Sequence, residues 1–347
     1  KVGVPYSARF HLGQPGRHPA GPVPVERLQM DQDFRHDAVM VREVVDLLGP
    51  LQPGWVIDAT VGGGGHAAAV LEAHPHLAVL GLDRDEAAVA AASRRLAPYG
   101  PRAQVVGARF DRLSLEADRV RQQTGSAVVG VLFDLGVSSV QIDRPERGFS
   151  YRAAGPLDMR MDRSSGLTAA EVVNGYEEAE LARIFRDNGE TRWAGRMARA
   201  IVAARPLADT AALAEVVAGA VPAPARRRGH PAARVFQALR IEVNAELEVL
   251  SATLDQVPGV LPGSGRCLVL AYHSGEDRLV KDRFRSWSGG ACTCPPGLPC
   301  VCGAPRFARL ISRGARQAGA AELAANPRAS AARLRAVEMV PSPEVQS

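Results

Sequence analysis

Short unbroken apolar runs alternate along this chain with longer stretches of helical periodicity, and three of the runs end on an acid. Val56 and Ile57 close at Asp58, Leu77 to Leu82 at Asp83, and Val128 to Phe133, the clearest of them, at Asp134. Ala103 to Gly107 and Arg266 to Tyr272 supply two more strands. Continuous Val, Ile and Leu runs suit strands covered on both faces, so the pattern predicts a parallel sheet. A helix carrying Val39, Val41, Val44, Val45, Leu47 and Leu48 is predicted from His36 to the Gly49-Pro50 stop. Another over Thr191–Ala204 puts Trp193, Met197, Ala200, Ile201 and Ala204 on one face. A long amphipathic helix then carries Phe236, Leu239, Val243, Leu247, Leu250 and Leu254. The tail from Phe307 holds one short strand. Strands and helices in this alternation make an α/β fold.

The stretch from Trp55 to His66 organises the rest. Gly62 to Gly65 lie between the first strand and a helix opened by Ala67, Ala68 and Ala69. Such a turn lets the backbone close on a ligand, and the free N–H groups and positive end of the helix favour an anionic group. Asp83 stands 18 residues after Gly65, the region where a Rossmann-like unit places an acid on a ribose. Dinucleotides and S-adenosylmethionine both fit this unit, so the fold alone does not choose the chemistry.

With 347 residues, 46% of them hydrophobic, the chain can bury one large or two ordinary cores. A net charge of +5 suits an enzyme that approaches a polyanion, and equally a slightly basic cytosolic protein. No apolar run is long enough to span a bilayer, because Val128 to Val137 is broken by Asp134. Residues 1–35 are rich in Pro, Gly and Arg and read as a mobile extension, an organelle transit peptide being the other reading. Cys292 and Cys294 are followed, after five residues, by Cys300 and Cys302. Two close pairs could hold a structural zinc, although C-x-C is tighter than the usual ribbon spacing; free thiols in a reducing compartment are the alternative. Cys267 reads as a small core residue.

Asp134 and the loop Leu-Gly-Val-Ser-Ser-Val-Gln141 stand at the carboxyl end of a central strand, where open α/β sheets keep their active sites. Asp134 is thus the leading catalytic or substrate-binding residue, with a helix-capping acid as the structural alternative. His273, at the end of Arg266 to Tyr272, points to the same face. Glu146 to Asp162 is dense in Arg, Asp and Met without periodicity, as an ordered functional loop would be. Arg192, Arg196 and Arg199 share a helical face near Arg226 to Arg228 and His230, either a solvated surface or a phosphate-contacting stripe. Phe110 is either a core aromatic or a stacking partner for a flat ring.

Together these motifs resemble one family, the bacterial methyltransferases that modify N4 of a cytidine in 16S ribosomal RNA, known as the RsmH or MraW family. The resemblance rests on His36 with Val39 and Glu43, Asp58-Ala-Thr60 with the glycines and His66, and Gly81-Leu-Asp83-Arg-Asp85. It continues through Asp134 to Ser139 with Gln141, Glu146 to Ser150, Pro156 to Asp162, Phe236 to Ile241 with Asn244, Tyr272-His-Ser274 with Glu276 to Arg278, and Asn326-Pro-Arg328. Gly275 departs from it, standing where the family usually has a larger apolar residue.

The resemblance implies a class I, S-adenosylmethionine-dependent methyltransferase sheet. Core segments 36–145 and 232–340 would flank an inserted helical substrate-recognition domain, 146–231. Cofactor contacts would be Gly64, Gly65, His66, Asp83, Phe110, Asp134 and Gln141. The reaction implied is N4-methylation of cytidine 1402 in the decoding centre, with 16S rRNA or the small ribosomal subunit as partner, in the cytoplasm and off the membrane. A homodimer is left open. Asp134 or a neighbouring backbone carbonyl, with His273 as the runner-up, would accept a hydrogen bond from the N4 amine. Arg160, Arg192, Arg196 and Arg199 would contact RNA, with Tyr151, Phe149 or Arg160 stacking on an unstacked base. A non-catalytic small-subunit assembly factor and an amino-methyltransferase of another nucleic acid are the rival readings.

Overall fold

The computed structural model describes residues 38–164, 166–226, 230–289, 294, 301–302 and 306–341, the side chains at 139–140 and 225–226 excepted. The expectations for residues 1–35, His36, Cys292, Cys300, Arg227 and Arg228 lie outside the described residues.

Seven strands form one sheet: β1 (Gly54–Asp58), β2 (Leu77–Asp83), β3 (Ala103–Gly107), β4 (Val128–Asp134), β5 (Arg266–Ala271), β6 (Ala308–Leu310) and β7 (Arg333–Met339). Their order is β3-β2-β1-β4-β5-β7-β6, with β1 to β5 parallel and β7 antiparallel to both β5 and β6. This is the Rossmann-like α/β sheet expected above. The chain winds outward from β1 to β3 and then restarts at β4 on the other side, so the crevice opens where β1 meets β4. Register places the three acids there. Asp58 pairs with Gly81 of β2 and Leu132 of β4, so Asp83 and Asp134 each stand two residues beyond it at the carboxyl edge.

Alternation along the strands fills two cores. Ile57, Leu80, Val131, Phe133 and Val269 enter one, with Phe284 and Trp287 of the helix Ser274–Trp287. Val56, Val79, Leu132, Leu268 and Leu270 enter the other, with Val44, Leu48, Val70 and Leu71. A fully buried Leu or Phe side chain contributes about 1.5–3 kcal/mol, so these two layers dominate sheet stability. A third cluster is helical and runs from Phe149 to Leu239. It continues past residue 231 into the helix Ala232–Asn244, whose Val235, Phe236 and Leu239 pack with it. Among the described residues, no helix is long and apolar enough to cross a membrane.

Three elements differ from the sequence expectation. The long amphipathic helix breaks at Ala245, which adopts φ 49° and separates Ala232–Asn244 from Glu246–Leu254. The apolar stripe continues across the break, which is why periodicity did not show it. The arginine-bearing helix starts at Ala194, leaving Arg192 in the preceding turn. The tail holds two strands, because alternating Arg333, Leu334, Arg335 and Ala336 hides a seven-residue strand among charges.

The loop leading into the helical cluster turns at Gly148, with φ 76°. A Cβ there would lie 2.1 Å from the Pro156 carbonyl oxygen and 3.0 Å from the Asp158 amide nitrogen. Gly148→Ala is therefore expected to cost about 1–3 kcal/mol and lower Tm by several degrees in a thermal melt. An unchanged Tm would show that the two strands of this loop are not held together.

Candidate active site

A cleft of about 790 Å³ opens at the carboxyl edge of β1, β2 and β4. The glycine turn forms its floor. Gly64, at φ 77°, starts the helix Gly65–Ala73, and its N–H donates to the Val61 carbonyl at 2.7 Å. A Cβ on Gly64 would face Ala92 and Leu96 in the next helix, so this glycine serves close packing, whereas Gly65 and His66 line the cleft.

Asp134 is held from three sides. Its amide donates to Thr60 Oγ1 at 2.6 Å, and Tyr272 Oη donates to its Oδ1 at 2.7 Å. Its Oδ2 faces His66 Nδ1 at 3.5 Å, while His66 Nε2 lies 2.8 Å from the Val39 carbonyl. A carbonyl only accepts, so Nε2 carries a hydrogen, and Nδ1 is the ring atom turned to Asp134. Burial, with Asp134 next to it, holds the Tyr272 phenol firmly protonated. Beneath them Asp58 is fully buried; its pKa is pushed up to about 7 by burial and by Asp134, against the opposing pull of His66.

On the β2 side, Asp83 accepts from the Gly62 amide at 3.0 Å and the Asp85 amide at 2.9 Å. Burial raises its pKa in spite of those two bonds. Phe110 follows β3 and packs in a T against Phe133, centroids 5.8 Å apart. Gln141 donates to Asp85 at 3.2 Å and accepts from the Ser138 amide at 3.1 Å. Arg147 reaches the same Asp85 oxygen at 2.9 Å.

The opposite wall comes from the broken helix. Arg240 grips Glu246 through two 2.8 Å bonds across the break. Asn244 donates to the Met159 carbonyl at 2.8 Å and accepts from the Met161 amide at 2.9 Å, fixing the loop in front of the cleft.

The profile of the MraW methylase family matches residues 33–340. The chain belongs to that family. Among its relatives, ribosomal RNA small subunit methyltransferase H of Symbiobacterium thermophilum is 49% identical over 310 residues, covering 88% of this chain and 96% of its own. The proteins of the same name from Anaeromyxobacter sp. strain K and Frankia alni are each 50% identical. They cover 89% of this chain, and 99% and 97% of their own lengths. The sheet described above is thus that of a class I methyltransferase, and the protein is a methylase.

Of the residues singled out in this MraW-family sequence, Gly65, His66, Asp83, Phe110, Asp134 and Gln141 line the one cleft. His273 is not on its wall. The ring caps the helix Ser274–Trp287, Nδ1 accepting from the amides of Gly275 and Glu276 at 3.2 and 3.4 Å. Glu276 is buried, which opposes ionisation, yet His273, Arg240 and the Tyr272 amide hold its carboxyl below the usual range. A Cβ on Gly275 would lie 3.1 Å from the His273 ring. Glu246, His273 and Glu276 are close enough together to suggest a metal site. Arg240 on Glu246 and two backbone amides on His273 mark an ion-pair and capping network instead.

Arg160 is bound to Asp158 at 2.8 Å, Arg192 lies 4.9 Å over Trp193, and Arg199 pairs with Glu178 at 3.4 Å. Arg196 is exposed. Phe149 is buried in the helical core, and Tyr151 stacks on His230. Of the four clustered cysteines, Cys294 and Cys302 are described, and Cys294 Sγ accepts from the Val301 amide at 3.3 Å. Sequence reasoning missed Tyr272, Arg147 and the Arg240–Glu246 pair. Tyr272 stood beside His273 in a noted motif, but nothing in the spacing tells which ring reaches Asp134.

Protonated Asp58 is favoured by the fold, so its contribution to stability is present below about pH 4 and lost as pH rises through 7. Asp58→Asn keeps the acceptor for the Thr60 amide and removes the titration. Relative to the variant, the parent is expected to lose Tm between about pH 4 and pH 8. Parallel Tm profiles would show that Asp58 does not titrate in this range.

Proposed function

We propose that this methylase transfers the methyl group of S-adenosylmethionine to N4 of a decoding-centre cytidine in small-subunit ribosomal RNA. The names of its relatives support the RNA. The observation that carries the chemistry is Asp134, fixed by Tyr272 and His66 at the β1–β4 crevice.

The residues fit the cofactor. Asp83 offers carboxylate oxygens to ribose hydroxyls, Phe110 a ring to adenine, and the glycine turn, with Gly65 and His66, the amino end of a helix to a carboxylate. Gln141 ties the adjoining loop to Asp85. When bound, S-adenosylmethionine supplies a methyl activated by its sulfonium.

Cytosine N4 is a poor nucleophile because its lone pair is conjugated with the ring, so alignment and removal of its proton are the protein's tasks. Asp134 accepts a hydrogen bond from the amine and draws the nitrogen toward a nucleophilic geometry. After transfer the N4 proton passes to an Asp134 oxygen, which His66 Nδ1 faces at 3.5 Å. Tyr272 fixes the carboxylate during both events.

The helical unit supplies the RNA surface in this reading. Exposed ion pairs such as Arg199–Glu178 are worth at most about 1 kcal/mol, so phosphate can displace them. Changing Arg192, Arg196 and Arg199 together to Ala is expected to weaken RNA binding and flatten its salt dependence in a titration across ionic strengths. Unaltered affinity and slope would remove these arginines from the RNA surface.

The direct test incubates the protein with radiolabelled S-adenosylmethionine and small ribosomal subunits from cells lacking the modification, then maps the label. Label is expected on N4 of one decoding-centre cytidine, reduced about 10²–10⁴-fold by Asp134→Ala. Cofactor binding without any label would favour a non-catalytic assembly role or another nucleic acid.

A further inference from the structure

Cations inside a protein are normally paired. Four arginines line the cleft among the described residues: Arg84, Arg109, Arg240 and Arg328. Asp111 holds Arg109, Glu246 holds Arg240 and Asp143 holds Arg328. Arg84 differs. Its polar contact is from Nη2 to the Met161 sulfur, a weak acceptor, and no described carboxylate pairs with it.

The surrounding acids are already engaged. Glu246 is gripped by Arg240, Asp83 accepts from the Gly62 and Asp85 amides, and Asp162 accepts from Ser164 N and Oγ at 2.9 and 2.6 Å. Arg109 adds a like charge. Burial disfavours the charged form of Arg84, and the nearby Glu246 and Asp83 only partly offset it. Among the described residues, the fold therefore holds a cation on the cleft wall without supplying a paired anion.

The direction of the side chain indicates which anion. Asp83 turns toward the glycine turn at Gly62, whereas Arg84, the next residue, reaches Met161 in the loop of the helical unit. That loop is rigidly placed: Arg147 donates to the carbonyls of Arg160 and Met161, and Asn244 binds Met159 and Met161. Arg84 thus faces the seam between sheet and helical unit, not the helix end offered to a cofactor carboxylate. A thioether is readily displaced, and a guanidinium already in position matches a phosphate oxygen pair. We infer that Arg84 binds a phosphodiester of the substrate RNA beside the target nucleotide. The inference rests on the RNA reading above.

Arg84→Met and Arg84→Lys separate the two. Cofactor affinity is measured by calorimetry, Tm by thermal melt, and affinity for a small-subunit RNA fragment across a salt series. For Arg84→Met the expected results are an unchanged or raised Tm, unchanged cofactor affinity, and an RNA Kd raised about tenfold with a salt slope smaller by about 0.7. Arg84→Lys is expected to retain the parent slope. Lost cofactor affinity with RNA binding intact would assign Arg84 to the cofactor carboxylate and overturn the inference. So would an RNA titration identical to the parent's, or a fall in Tm of many degrees, which would make Arg84 a structural cation. A parent protein that binds cofactor but no RNA would overturn the RNA reading itself, whatever the variants do.

Discussion

The contact on which this site depends is that between Tyr272 and Asp134, two residues brought together by the pairing of β4 with β5. Asp134 lies opposite Leu270, so Tyr272, two residues on, overhangs the carboxylate. Its phenol donates to one oxygen while His66 faces the other. Neither contact would survive a one-residue slip of the strands, which would turn the acid to the opposite face. The buried Leu, Val and Phe rows that fix register thereby also aim the reactive group.

A carboxylate at the mouth of a sheet is normally solvated and mobile. Here Tyr272 donates to one oxygen and His66 faces the other while Thr60 anchors the Asp134 amide, and burial disfavours the charged form of Asp58 beneath it. Two acids in close apposition divide their roles by environment: the deeper one favours its proton, and the one held by the Tyr272 phenol lines the cleft, placed to act as acceptor. His66 is committed to Val39 through Nε2 and faces Asp134 through Nδ1.

The sheet was legible because its apolar runs are unbroken and three of them, β1, β2 and β4, end on an acid; β1 to β5 follow from those runs alone. So does the grouping of Gly65, Asp83 and Asp134, since glycine turns and strand-end acids gather at one edge of a parallel sheet. The contacts between distant segments were not legible. Arg147 and Asp85 lie 62 residues apart and Asn244 and Met161 83 apart, and neither side chain announces its partner. The break at Ala245 was hidden because a stripe spaced for a helix continues on both sides of it, and the contacts that hold the change of direction, Arg240 on Glu246 and Asn244 on Met159 and Met161, are tertiary. His273 shows the reverse error: a titratable residue after a strand suggested chemistry, but its ring is occupied in capping the helix that follows.

Arg147 makes the helical unit and the cofactor side of the sheet mechanically continuous. One guanidinium joins Asp85, which caps the helix Glu86–Leu96, to the carbonyls of Arg160 and Met161 in the opposing loop. Asp85 also supplies the amide that holds Asp83 and accepts from Gln141. A bound strand that orders the loop would therefore steady the hydrogen bonds that orient Asp83, and a ligand ordering Asp83 would stiffen the loop in return. Because Arg147 is itself nearly buried, this linkage has little solvent screening, and its geometry cannot be exchanged for water as a surface pair's can. Coupling of this kind runs equally in both directions, so the two ligands of a methyl transfer are expected to assist each other's binding through one arginine.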